Sequence, residues 1–212
     1  MATICPTITA YTAPEFREQL LRIKPFAERV HIDLMDGRLA PTVSPDIDEV
    51  WWPHELVADI HLMYEYPMEA LHELIRLRPH MVIIHAEADV HHMHFAAELH
   101  RHDIEAGLAV LQPTSIERVE RIMHSFDQVL VFSGKLGHHG GQLDPDMLGK
   151  VRFVRERHPD VEIAWDGGIT DENARMLVSA GVDVLNVGGF IQKSADPREA
   201  YAKLYTALED KQ

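Results

Sequence analysis

A chain of 212 residues with 46% apolar and 25% charged residues has an ordinary globular composition and fits one α/β domain spanning 1–212. The formal net charge of −14, with only 20 Lys and Arg spread along the chain, argues against nucleic acid or an anionic membrane surface as a partner. No basic-flanked apolar leader and no bilayer-length apolar run is visible, so a cytosolic protein is expected, and the single cysteine, Cys5, reads as a buried small hydrophobe.

Short β-branched or apolar runs alternate with helix-period segments from one end to the other. The predicted strands are Thr3–Ile8, Val30–Met35, Val57–Met63, Met81–Glu87, Ala106–Leu111, Gln128–Ser133, Val161–Asp166 and Asp183–Val187. Helix starts stand between them. Thr12-Ala13-Pro14-Glu15 offers a capping box with an early proline, and similar starts occur at Pro67, Thr114-Ser115, Pro145, Thr170-Asp171 and Pro197. The segment from Val43 to Trp52 holds at most a short helix, so the second connection is irregular. Eight β-then-α units in this length suit a closed (β/α)8 barrel better than a doubly wound sheet. In such barrels the chemistry sits at the C-terminal ends of the strands.

The polar residues at those ends are few. Period-two alternation puts His31, Asp33 and Met35 on one face of the second strand, which closes in the Asp36-Gly37 turn. The third strand repeats the arrangement with His61 two residues before Met63, and Asp166 closes the seventh strand ahead of Gly167-Gly168. Two imidazoles and two carboxylates make a mixed N/O set suited to Zn²⁺, Mn²⁺, Fe²⁺ or Co²⁺. A lone strand histidine is usually a satisfied core or rim group, and most of the 15 histidines keep that reading. His91, His92 and His94 begin a helix, while His72, His100, His102, His124 and His158 sit on helix surfaces. His85, which ends the fourth strand, is a candidate supporting group. Gly140-Gly141, Gly167-Gly168 and Gly188-Gly189 follow or approach the tops of the last three strands, where closely approaching backbone N–H groups can hold a phosphate despite the acidic net charge.

Taken in order, these segments resemble the ribulose-phosphate 3-epimerase family from Ile4 to Ile191. The family's His-Val-Asp-x-Met-Asp-Gly stands as His31 to Gly37, its Asp-x-His-Leu-Met as Asp59 to Met63, and its His-x-Glu as His85-Ala86-Glu87. Its Gly-Gly-Gln stands as Gly140-Gly141-Gln142 and its Asp-Gly-Gly-Ile as Asp166 to Ile169. The resemblance implies a TIM barrel of the ribulose-phosphate-binding type that 3-epimerises a phosphorylated ketose such as D-ribulose 5-phosphate or D-xylulose 5-phosphate. It implies one divalent metal, Zn²⁺ first, on His31, Asp33, His61 and Asp166. Asp33 and Asp166 are then also the acid/base pair on opposite faces of the substrate, while the metal stabilises the enediolate. It further implies substrate contacts from Thr7, His61, Met35 and Met63, and a homo-oligomer, dimer or hexamer.

The sequence also departs from the family. The usual Asn-Pro-Gly-Phe-Gly-Gly-Gln lid is replaced by Lys135 to Gln142, in which Lys135, His138 and His139 introduce donors. The family's last-strand Gly-Ser is Gly188-Gly189, which gives up a side-chain hydrogen bond to phosphate. A ketose phosphate other than, or additional to, D-ribulose 5-phosphate is therefore expected. Two rivals are a non-catalytic sugar-phosphate-binding barrel and a related decarboxylase/aldolase, but the latter needs a lysine where His61 stands.

Overall fold

The computed structural model describes residues 2–209. Eight parallel strands close into a barrel in chain order: β1 (Thr3–Thr9), β2 (Arg29–Met35), β3 (Val57–Met63), β4 (Met81–His85), β5 (Glu105–Leu111), β6 (Gln128–Phe132), β7 (Glu162–Asp166) and β8 (Val184–Val187). This is the expected (β/α)8 architecture. The prediction overran most at β4, which stops at His85 because Glu87 turns back and its Oε1 accepts a hydrogen bond from the Leu111 N–H at 3.1 Å.

The first helix, α1 (Ala13–Ile23), starts at the expected cap. Thr12 Oγ1 accepts from the Glu15 N–H at 3.4 Å, but the Glu15 carboxylate accepts from the Tyr11 N–H at 2.9 Å instead of closing the box on Thr12. Phe16, Leu20 and Ile23 form its buried stripe. After β2 the chain makes only a short 3-10 turn, Ile47–Glu49, as the irregular Val43 to Trp52 segment foretold. The remaining helices are α2 (Leu71–Leu77), α3 (His92–His100), α4 (Ile116–Met123), α5 (Leu148–Arg157) and α6 (Ala174–Ser179), and β8 is followed by α7 (Gly189–Gln192) and α8 (Pro197–Glu209). No helix of the described residues is long and apolar enough to cross a membrane.

Because strand side chains alternate, half of each strand faces the helices and half fills the barrel. Ile8, Ile32, Leu34, Ile60, Leu62 and Trp165 face outward into the main core. The interior is stratified. At the N-terminal end Arg29 donates to Asp59 at 2.6 Å and to Glu162 at 2.9 Å. Above it lies an apolar layer that includes Cys5, Ile83, Ala109, Leu130 and Ala164. Cys5 is fully buried, and burial pushes its thiol well above the ordinary range, so it serves as a small hydrophobe, as expected. Polar side chains return at the C-terminal ends of the strands.

Candidate functional site

The strand register assembles the site. Asp33 pairs with His61 across β2 and β3, Thr9 pairs with Asp33 across β1 and β2, and Asp166 pairs with Asn186 across β7 and β8. The ligand atoms of His31, Asp33, His61 and Asp166 all lie within 4.8 Å of one another. Among the described residues no other group of three or more metal-ligating side chains converges in this way, and the His91 to His94 segment is not one. His91 instead caps α3, its ring accepting from the His94 N–H at 3.2 Å.

Charge inside the cluster is unbalanced. His31 is fully buried, both of its ring nitrogens lack a hydrogen-bond partner, and its Nε2 faces Asp33 Oδ1 and Asp166 Oδ2 at 3.4 Å each. Burial disfavours the imidazolium, but the carboxylates of Asp166 and Asp33 outweigh it and lift the pKa to about 10. Burial alone would raise Asp33, yet His31 and His61 hold its carboxyl well below the usual carboxylate range. For Asp166 burial wins and the pKa goes up. A pocket that draws a proton onto a fully buried imidazole is short of positive charge. A divalent cation would supply that charge and would meet the orphaned Asp166 Oδ2 and His31 nitrogens, so the donor set fits a metal.

Neighbouring groups hold these side chains in place. Thr9 Oγ1 donates to Asp33 Oδ2 at 2.6 Å, which leaves Oδ1 turned toward His61 Nδ1 at 3.0 Å. His61 Nε2 lies 2.9 Å from His85 Nε2, and His85 Nδ1 approaches Glu87 Oε2 loosely at 3.4 Å. If Nδ1 of His61 holds a metal, its proton must sit on Nε2 and point at His85, so the neighbour selects the tautomer. Burial keeps His85 neutral in ordinary solution, with a pKa near about 4. Its ring thus stands beside His61, on the side away from Asp33.

Above the cluster opens a cavity of about 430 Å³. Thr7, Met63, His138 and His139 line it, as do all six expected glycines, Gly140, Gly141, Gly167, Gly168, Gly188 and Gly189. The glycines allow close backbone approach. A Cβ on Gly167 (φ +111°) would stand 2.2 Å from the Gly134 nitrogen, and one on Gly168 (φ +72°) 2.1 Å from the Leu143 nitrogen.

Three expected residues lie off the cavity: His61, expected to touch substrate, is fully buried beside Asp33 and does not line it, and two more stand apart. Met35 does not line the cavity; it is buried with Met63 and Ala40 in a small cluster under Leu136, and Thr42 Oγ1 sits 3.1 Å from its sulfur. Lys135 is exposed and off the cavity, because the lid is pinned beside it: the Gly137 carbonyl accepts from Thr42 Oγ1 at 2.7 Å and from Tyr11 Oη at 3.3 Å. The cation at the mouth is Lys193, whose Nζ comes within 3.9 Å of where a Gly140 Cβ would be. His139 packs edge-on to Tyr11 with its Nε2 3.3 Å from Gln19 Nε2, so only part of it is free to face a ligand.

Sequence reasoning missed Thr9, Asn186 and Lys193. Thr9 follows Thr7 by two residues and shares its face, and Asn186 is a polar residue inside an apolar strand, so both were detectable in principle. Nothing local marks Lys193.

The family model described as the ribulose-phosphate 3 epimerase family matches residues 3–192. The ribulose-phosphate 3-epimerase of Mycobacterium tuberculosis is 28% identical over 208 residues, covering 95% of this chain and 90% of the relative. That of Schizosaccharomyces pombe is 24% identical over 214 residues, covering 98% and 94%. A crystal structure of 3-hexulose-6-phosphate synthase superposes with a TM-score of 0.75 at 15% identity, covering 98% of this chain and 100% of that one, a likeness of fold alone. Because the family match runs through every strand of the barrel, the chain belongs to the ribulose-phosphate 3-epimerase family.

Proposed function

We propose that the chain is a metal-dependent 3-epimerase of a phosphorylated ketose, with Asp33 and Asp166 as the two proton-transfer groups. The observation that supports this most directly is the convergence of two carboxylates and two buried imidazoles in one cluster whose carboxylates line the cavity. Inversion at a carbinol carbon needs one group to remove the proton and a second to return one from the other side. Both carboxylates line the cavity, Asp33 from β2 and Asp166 from β7, so a bound carbon between them can be reached from two strands.

His31, Asp33, His61 and Asp166 would hold one divalent ion, Zn²⁺ by first preference for this N/O set, with Mn²⁺, Fe²⁺ and Co²⁺ as alternatives. When bound, such an ion polarises the ketose carbonyl and offsets the negative charge that develops on proton removal. Thr9 fixes the Asp33 carboxylate so that one oxygen is committed and the other faces the site. Met63 and Phe132 line the cavity beside the cluster, and their low polarity strengthens the charge interactions there. In this reading the phosphate would lie against the backbone of the three glycine pairs, with Lys193 supplying the local positive charge that the acidic chain lacks. A cytosolic location and a homo-oligomer accompany this reading on the strength of the family resemblance.

The test is isotopic. Incubated in D₂O with a panel of C4 to C6 ketose phosphates, the protein should place solvent deuterium at the epimerised carbon of its preferred substrate. Complete retention of the original hydrogen at that carbon during turnover, or no turnover of any member by the metal-loaded protein, would sink the proposal.

A further inference from the structure

One polar side chain inside the barrel serves neither the fold nor the donor cluster. Asn186 is 2% exposed, and both its Oδ1 and its Nδ2 are buried without a hydrogen-bond partner. Its strand neighbours are Asp166 on β7 and Cys5 on β1, and it lines the cavity two residues before Gly188. A buried amide that lacks partners destabilises the molecule that carries it, and an aliphatic side chain of the same size would pack into the apolar layer below at no such cost. Because the side chain lines the cavity, a ligand there is placed to complete it. A second orphan, Thr7 Oγ1, is also buried and lines the cavity two residues beyond Cys5, the β1 partner of Asn186, so this wall presents a carboxamide and, further along it, a hydroxyl. Between them they offer donors and acceptors, which suits an alcohol better than a carboxylate or a phosphate.

We infer that Asn186 is a specificity-determining residue that hydrogen-bonds a hydroxyl of the ketose chain, namely the one on the carbon next to the reacting carbon on the phosphate side. Location assigns that hydroxyl. Asn186 stands level with Asp166, a member of the reacting cluster, and below the Gly188-Gly189 loop, so it flanks the stretch of ligand between the two. In a 2-ketose that reacts at carbon 3 this is the 4-hydroxyl. The assignment rests on the epimerase reading above, but the amide contact can be measured apart from turnover.

The experiment compares wild type with Asn186→Leu, and with the smaller Asn186→Val in case Leu does not fit. The substrates are the preferred ketose phosphate, its 4-deoxy analogue and its 1-deoxy analogue. The expected result is a loss in kcat/KM of roughly 10- to 100-fold on the parent and on the 1-deoxy compound, and little or no loss on the 4-deoxy compound, which has no hydroxyl for the amide to bond. The thermal midpoint of the empty protein should rise by about 2–4 °C, since an unpaired amide has been removed. A kcat/KM within threefold of wild type on the parent, or an equal loss on all three compounds, would overturn the assignment. So would a fallen midpoint with intact kcat/KM, which would mean that the amide serves the fold. If the wild type itself turns over no ketose phosphate, the epimerase reading fails separately. The contact is then read from the thermal stabilisation given by a pentitol 5-phosphate, whose affinity the Leu variant should weaken about tenfold; unchanged stabilisation would reject the role of Asn186.

Discussion

Arg29→Met should destabilise the protein strongly although Arg29 lies at the end of the barrel remote from the cavity. Its Nε donates to Asp59 Oδ2 at 2.6 Å, and its two terminal nitrogens donate to Glu162 at 3.0 and 2.9 Å. The two halves of this network differ in weight. Glu162 is 33% exposed, so its share is screened by water and amounts to no more than ~1 kcal/mol. Asp59 is 1% exposed, and removing one member of a buried pair leaves a stranded charge, at a usual cost of ~3–5 kcal/mol. His80, with Nδ1 2.9 Å from Asp59 Oδ1, takes up part of that loss when protonated. A net cost of about 3 kcal/mol follows, or a midpoint lowered by about 6–12 °C for a chain of this size.

The deficit should also depend on pH. The hydrogen bond to Asp59 raises the pKa of His80 above its ordinary 6.5. A group raised in this way stabilises fully below its unfolded pKa and loses that contribution as pH climbs through the folded value. The variant, which leans on His80 alone, should therefore be least impaired below about pH 6.5 and lose ground above it. The double variant Arg29→Met/Asp59→Leu should recover most of the midpoint, because replacing both charges by apolar groups is close to neutral. Thermal unfolding followed by circular dichroism across a pH series measures all three quantities. A single variant within about 2 °C of wild type throughout, or a double variant no better than the single, would refute the reasoning.

Three further outcomes follow from the site. Elemental analysis after exposure to Zn²⁺ or Mn²⁺ and dialysis should find one ion per chain, lost in His61→Ala, and at a hundredfold excess over Kd the ion should stabilise the fold by about 2.7 kcal/mol, a gain that a chelator removes; absence of stoichiometric metal would contradict the ligand assignment. Gly168→Ala must move backbone, since the new Cβ would lie 2.1 Å from the Leu143 nitrogen at a φ of +72°, and KM should rise roughly tenfold or more, while Gly149→Ala, with nothing within 4 Å of its Cβ, should leave activity intact. His138→Ala and His139→Ala should change the ranking of ketose phosphates by kcat/KM, and identical rankings would show that the altered lid is neutral toward the substrate.

Much of the architecture was legible because it depends on local periodicity. Strands such as Ala106–Leu111 and Met81–Ile84 are continuous apolar runs, as parallel strands covered on both faces must be, and their alternation with helix starts favours a (β/α)8 barrel over a doubly wound sheet. The same period-two rule placed His31 and Asp33 on one face, and the barrel rule placed them at the reactive end. The end of β4 was overrun because nothing local distinguishes the strand Met81–His85 from its continuation; a hydrogen bond from Leu111, 24 residues away, pulls Glu87 out of line.

The inventory is legible along the chain: eight strands, the polar residues at their ends, and the glycine pairs that permit tight loops. Which of those residues share a space depends on how the strands close. Lys135 and Lys193 are equivalent in composition, yet the bonds that pin Gly137 to Thr42 and Tyr11 leave the first outside the cavity, while the turn after α7 carries the second to its mouth. Asn186 is one polar residue in a short apolar strand, and it is the closure of β8 onto β1 that buries its amide without a partner. Chain order specifies neighbours along the backbone, whereas burial and charge are properties of the assembled volume. Groups whose role rests on who lacks a partner become visible only once every strand is in register.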